Sequence, residues 1–135
     1  MGGFSAEKVI SLKSGKVVLN FLDKDKYNAL AVIIDNEGWR LEKNRKSYHI
    51  NKSDFSINID NEKIKFDGVF MAIHGTPGEN GVLQRYLDNL KIPYTCSGVK
   101  ASELSFDKGA CNDFLRNFDI PCAKSVKLKK GDKID

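Results

Sequence analysis

The chain has no apolar run long enough to cross a bilayer, no Cys-x-x-Cys pair and no dense block of like charge. Each absence removes a class of function. A spanning helix needs about 20 consecutive apolar residues, so a membrane-embedded role is not expected. The cysteines, Cys96, Cys111 and Cys122, are odd in number and widely spaced. That pattern fits neither a zinc site nor a disulfide framework, and buried or inert thiols in a reducing compartment are expected instead. The formal net charge of +4 is scattered over 135 residues, whereas nucleic-acid binding calls for concentrated basic patches. The opening Met-Gly-Gly-Phe-Ser-Ala-Glu lacks the basic stretch and apolar core of a secretory signal. It also places Ala6 where a myristoylation motif needs Ser or Thr. The expectation is a cytoplasmic protein without nucleic-acid or membrane partners.

Two familiar motifs are missing or incomplete. Gly-x-Gly-x-x-Gly does not occur, which removes the dinucleotide fingerprint. Ser5 and Lys8 match Ser-x-x-Lys, but the Ser-Asp-Asn and Lys-Thr-Gly companions of penicillin-recognising enzymes do not follow.

What is present suits one layered domain and the beginning of another. Apolar residues make up 41% of the chain, enough for a core, and the 30% that are charged mix both signs as a solvated surface does. Ser5 is placed to cap a helix, and Val9 to Leu22 carries apolar residues suited to one helical face, weakened slightly at Gly15. The near-continuous apolar runs 29–35 and 69–73 read as strands buried on both faces, as in a parallel sheet. Between them, alternating segments around Trp39, Tyr48, Phe55 and Ile64 read as a small, less buried antiparallel excursion. Helical spacing returns over 82–91, 101–106 and 107–118, with Phe114, Leu115 and Phe118 as the apolar side of the last helix. Tyr94-Thr95 and 123–128 read as strands. Alternation of strands and helices argues for an α/β fold with a mostly parallel sheet. A glycine turn before a helix ordinarily follows a strand, and the final strand has no partner, so both ends are expected to be clipped.

Chemistry concentrates in two places. Gly2-Gly3-Phe4-Ser5-Ala6-Glu7 is a glycine turn feeding a helix N-terminus, a natural cradle for an anion. His74-Gly75-Thr76-Pro77-Gly78-Glu79-Asn80-Gly81 follows an apolar strand, where open α/β sheets place their ligand crevices. Its glycines permit close backbone approach, His74 can donate to an oxyanion, and Glu79 can orient His74. Lys108 opens a helix from which it can reach a phosphate. His49 has no assigned role.

Taken in order, these segments resemble the D-alanine–D-alanine ligases of the ATP-grasp superfamily. The resemblance rests on Gly2–Glu7 with Ser11-Leu-Lys-Ser-Gly15, on His74–Gln84, and on Ile92-Pro-Tyr-Thr95, Ser97-Gly-Val99, Ala101-Ser102 and Asp107-Lys108. It implies a Rossmann-like (pre-ATP-grasp) parallel sheet domain over 1–96, with the antiparallel excursion inside it, and the start of an ATP-grasp domain over 97–135. It implies an ATP-dependent enzyme that joins two D-alanines for peptidoglycan synthesis through an acyl phosphate, with Mg2+ (or Mn2+) and a homodimeric full-length protein. By the same resemblance Glu7 takes the ammonium of the first D-alanine, and the backbone at Ile10 lies near its carboxylate. His74 polarises that substrate, Gly75, Gly78, Glu79 and Gly81 shape the loop, and Lys108 contacts ATP phosphates. Lys8, Val9, Ile10 and Arg85 depart from the commonest residues of the pattern. Metal ligands are expected downstream of this chain. A non-catalytic α/β module for a small anion or amino acid, and a ligase using D-lactate or D-serine, are the competing readings. Mixed alone with ATP and D-alanine, the chain is expected to release no phosphate, and measurable release in a phosphate assay would refute that.

Overall fold

The computed structural model describes residues 1–133. Its elements are helix α1 (Lys8–Phe21), strands β1 (Val32–Asp35), β2 (Gly38–Lys43), β3 (Lys46–Asn51), β4 (Ser56–Ile59) and β5 (Glu62–Ile64), and helices α2 (Val82–Asn89), α3 (Val99–Phe106) and α4 (Lys108–Arg116). The fold is α/β, but its sheet departs from expectation. The strands lie in the order β1-β2-β3-β4-β5, and every pairing is antiparallel. The segment expected to be a minor excursion is therefore the principal sheet. Alternation explains why: Leu41, Ile50, Ile57 and Ile59 turn to one interior, where they join Ile34, Phe55 and the α2 residues Leu83 and Leu87 in one cluster. Full burial of each such side chain is worth about 1.5–3 kcal/mol. The β2–β3 and β4–β5 turns put Asn44, Arg45, Asp60 and Asn61 at positive φ, the geometry that matches strand twist in two-residue hairpins.

Parallel pairing among the described residues is confined to two isolated bridges, Gly2 with Ile34 and Val69 with Tyr94. The run 69–73, expected to be a buried strand, stays extended without a ladder. Val69 N–H donates to the Pro93 carbonyl at 2.8 Å and Thr95 N–H to the Val69 carbonyl at 3.0 Å. The next donor, Met71 N–H, goes to the Thr95 hydroxyl instead of a backbone carbonyl (3.0 Å), which ends the pairing. Residues 123–128 form no strand either. Side chains of α4 hold them: Arg116 donates to the Ala123 carbonyl at 3.2 Å, and Lys127 pairs with Asp113 at 2.6 Å. Phe114 and Phe118 of this region are exposed and pack on each other in a tilted arrangement, 5.1 Å between centroids.

Helix α1 buries a different face from the one its apolar residues suggest. Val9, Ile10, Val17 and Phe21 are exposed, whereas Ser11 and Gly15 are buried. The reason is close backbone approach. A Cβ on Gly15 would lie 2.5 Å from the Met1 sulfur. Ser11 Oγ accepts the Gly2 N–H at 2.8 Å and donates to the Ala72 carbonyl at 2.6 Å. Small residues let α1 sit directly on two extended segments, so Gly15 is a contact point rather than a weakness. The helix also begins later than expected. Ser5 does not cap it; its hydroxyl accepts the Glu7 N–H at 3.3 Å, and Glu7 occupies the N-cap position.

At the end of β1, buried Asp35 receives Arg40 through two nitrogens (2.6 and 3.3 Å) and Lys8 of α1 at 2.7 Å. The Arg40 guanidinium, helped by Lys8, holds the Asp35 carboxyl well below the usual carboxylate range. A carboxyl depressed in the folded state stabilises the fold above its unfolded pKa of about 4 and loses that contribution as pH falls below it. Asp35→Asn is expected to cost about 3 kcal/mol at neutral pH, because it leaves the largely shielded Arg40 guanidinium without its counter-charge. Urea unfolding at pH 7 and pH 3 checks both statements, since the gap between variant and parent should narrow on acidification.

Candidate active site

Backbone hydrogen bonds bring the glycine turn onto the His–Gly loop. Gly3 N–H donates to the Ile34 carbonyl at 2.7 Å and Phe4 N–H to the Thr76 carbonyl at 2.8 Å. Ser5 Oγ then donates to the His74 carbonyl at 3.3 Å. Gly3, at φ +116°, has no room for a side chain, since a Cβ would lie 3.2 Å from the His74 carbonyl oxygen. The two segments singled out in the sequence, 70 residues apart, thus form one surface.

The loop is closed by its own backbone. Gly78 and Glu79 N–H groups both donate to the Gly75 carbonyl at 2.9 Å, and Thr76–Pro77 is a cis peptide. Gly75 sits at φ +67°, with Glu7 Oε2 3.0 Å and Ser5 Oγ 2.8 Å from the place a Cβ would take. Glu7 therefore lies over the tip of the loop. The His74 side chain is 40% exposed and held on one ring nitrogen: Nε2 is hydrogen-bonded with Ser14 Oγ at 3.1 Å, while Nδ1 lies 3.9 Å from Glu79 Oε1, beyond hydrogen-bond distance. Gly81, at φ +83°, precedes α2, where Asn80 Oδ1 accepts the Val82 N–H at 3.3 Å.

A cleft of about 540 Å³ opens beside this loop, lined among others by Glu7, Glu79, Gln84, Cys96, Ser97 and Lys108. Its size falls in the usual range for small-molecule sites, and it carries both signs of charge. Lys108 is the first residue of α4, whose N-terminus is capped by Asp107 accepting the Ala110 N–H at 2.9 Å. A separate hollow of about 410 Å³ at the far end of α1 is lined by Leu19, Leu22, Lys24 and Tyr27 and holds no acid–base pair.

Glu7, Glu79 and Lys108 meet in the cleft, and Gly78 lines it with them. His74 stands at the loop, linked to the cleft through Glu79, and Gly75 and Gly81 shape the backbone around it. Ile10 is not brought to the cleft; its side chain is 52% exposed on α1. Among the described residues no group of three or more His, Cys, Asp or Glu side chains converges as a metal site. Three contributors were missed in the sequence. Ser14 orients His74, and its signal was a stripe of small residues, Ser11-Ser14-Gly15, along one side of the helix. Gln84 and Cys96 gave no signal: one stood in a helical apolar pattern, and the other was expected to be buried or inert. All three cysteines are free, and Cys96 is exposed.

Gly75→Ala is expected to lower stability by about 1–2 kcal/mol, the cost of a left-handed L-residue, and to push Glu7 off the loop. Chemical denaturation reads the first effect and a shift of the Glu7 carboxyl carbon resonance the second.

Comparison with known proteins agrees with this geometry. Residues 1–97 match the family described as D-ala D-ala ligase N-terminus. The chain is 47% identical over 135 residues to the D-alanine–D-alanine ligase of Flavobacterium psychrophilum, covering 100% of the chain and 41% of that relative. The structure of the D-alanine–D-alanine ligase from Coxiella burnetii superposes with a TM-score of 0.83 at 29% identity, over 98% of this chain and 44% of that one. The Bacillus anthracis ligase solved in complex with ATP superposes with a TM-score of 0.68 at 27% identity, over 100% of this chain and 40% of that one. The chain thus spans about 41% of the length of the curated relatives it matches. With the family match running through the glycine turn, the His–Gly loop and the strand segments between them, the chain belongs to the D-ala D-ala ligase N-terminus family.

Proposed function

We propose that this chain supplies the first-substrate side of an ATP-dependent ligase that joins two D-alanines into D-alanyl-D-alanine for peptidoglycan synthesis. Residues 1–96 serve as the substrate domain, whose bridges at Gly2–Ile34 and Val69–Tyr94 are the parallel Rossmann-like element, and 97–135 open the ATP-grasp domain. The whole enzyme works in the cytoplasm as a homodimer with Mg2+, whose ligands lie outside these residues. The observation that carries the reading is the position of Glu7 over the loop that carries His74, beside a cleft that also holds Lys108.

The reaction must bring a carboxylate to a phosphoryl group and then to an amine. ATP supplies the phosphoryl group that activates the first carboxylate as an acyl phosphate. Glu7, a carboxylate beside the cleft, binds the ammonium of the first D-alanine and fixes its orientation. His74, held through Nε2 by Ser14, donates a hydrogen bond from Nδ1 to the carboxylate oxygen as charge builds there. Lys108 attracts the phosphates as a compact point charge. Gly75 and Gly78 keep the loop free of side chains, so substrate approaches its backbone. The family match, the ligase relatives and the ATP-bound neighbour all support this reading.

The test uses residues 1–135 fused to the remaining portion of the Flavobacterium psychrophilum enzyme. D-alanyl-D-alanine should form from D-alanine and ATP. Glu7→Gln should raise KM for the first D-alanine by about 10–100-fold, as loss of a charged hydrogen bond does, while KM for ATP stays near its parent value. His74→Gln should lower kcat more than it raises KM. Absence of dipeptide, or a Glu7→Gln enzyme with unaltered KM, would overturn the reading.

A further inference from the structure

Gln84 is 1% exposed on α2, a helix whose other buried side chains, Leu83 and Leu87, belong to the core. An apolar side chain of the same length would fill that place, but it would leave the Gly78 carbonyl without its donor. The carboxamide leaves something else unpaired: its Oε1 is sealed from solvent and has no hydrogen-bond partner. Either choice leaves one buried acceptor unpaired, and buried unpaired acceptors are destabilising, so stability alone does not account for a glutamine here.

The other half of the amide has a specific task. Nε2 donates to the Gly78 carbonyl at 2.5 Å and lies 3.5 Å from Cys96 Sγ. Those acceptors sit on two different segments that wall the cleft, the His–Gly loop and the turn that leads through Ser97 into α3. A flipped amide would set Oε1 against the Gly78 carbonyl, acceptor against acceptor, so the two nitrogen contacts dictate its orientation. Both segments need holding. Gly78 is wedged where a Cβ would lie 2.6 Å from Ile73 Cβ, and Cys96 adopts φ +107°, which L-residues rarely do.

We propose that Gln84 is a positioning residue of the amino-acid cleft, its amide nitrogen clipping the His–Gly loop to the Cys96–Ser97 turn and thereby setting the spacing between the walls. The role assigned to the cleft rests on the ligase reading, but the clip itself does not. Gln84 acts through its neighbours. Gly78 precedes Glu79, which approaches His74, and Cys96 precedes Ser97, whose carbonyl accepts from Ser102 Oγ of α3 at 3.1 Å.

Two measurements separate the clip from the function. In the chain carrying Cys111→Ser and Cys122→Ser, the remaining thiol, Cys96, is titrated with an aromatic disulfide reagent. Gln84→Met should speed its reaction at least fivefold with Tm near the parent value, because packing is kept and the loss of the orphan oxygen offsets the loss of the donor to Gly78. An unchanged rate, or a faster rate that tracks a fall in Tm as it does in a Leu87→Ala control, overturns the clip. In the fused ligase, Gln84→Met should raise KM for the first D-alanine about tenfold while KM for ATP stays constant, and Gln84→Glu should do the same. Unchanged KM for D-alanine overturns the positioning role while leaving the ligase reading intact. A parent fusion that makes no dipeptide overturns the ligase reading and leaves the clip to be judged by the thiol rate.

Discussion

The hydroxyl of Ser11 joins three pieces of backbone that carry the rest of the site. It accepts from Gly2 and donates to Ala72, so one buried oxygen ties the opening turn and the segment before His74 to α1. A side chain of any greater size would separate them. A smaller one would strand a donor and an acceptor in the interior, where each is expensive to leave unpaired. Gly15, one turn further along, carries the same face past Met1. With α1 seated on these segments, Glu7 emerges above the loop and Ser14 reaches the imidazole.

Charge is divided between two settings with opposite purposes. Asp35, Arg40 and Lys8 are drawn together at the end of β1, where a buried carboxylate is matched by two cations. Such a group fixes α1 against the sheet and has little capacity left for a ligand. Glu7, Glu79 and Lys108 instead stay exposed around the cleft, and among the described residues no ion pair closes on them apart from the 3.9 Å approach of Glu79 to His74. On the proposed reading, side chains held open in this way are available to an ammonium or a phosphate. Lys8 and Glu7 are adjacent in sequence, so the first turn of α1 is pinned by one charge and offers the next.

The loop between Gly75 and Gly81 shows how backbone conformation, more than side-chain chemistry, makes a binding edge. Its glycines occupy positions where Cβ atoms would meet Ser5, Ile73 or Glu103. The carbonyl of Gly75 gathers two N–H groups and that of Gly78 takes the Gln84 amide. The loop's carbonyls are thus met partly by its own N–H groups and partly by Phe4, Ser5 and Gln84, which fixes its conformation from both sides.

Local chemistry was legible in the sequence: the glycine turn, the His–Gly loop, the helices over 82–91 and 107–118 and the hairpin turns follow from residue type and spacing, which act over a few positions. The family resemblance added the expectation that Glu7, His74 and Lys108 serve one site, and the structure sets Glu7 and Lys108 on one cleft with His74 in the adjoining loop. Periodicity misjudged α1, because it scores apolar residues and the face that packs closest is built from Ser11 and Gly15. It also overstated the runs 69–73 and 123–128, since an apolar or alternating stretch becomes a strand only when a neighbouring backbone offers its hydrogen bonds. Tertiary structure alone decided which strands pair, that Asp35 is buried between Arg40 and Lys8, that Ser14 holds His74, and that Gln84 joins two walls of the cleft. These contacts span up to 60 residues of chain, and their energy depends on distances and desolvation that no local pattern encodes.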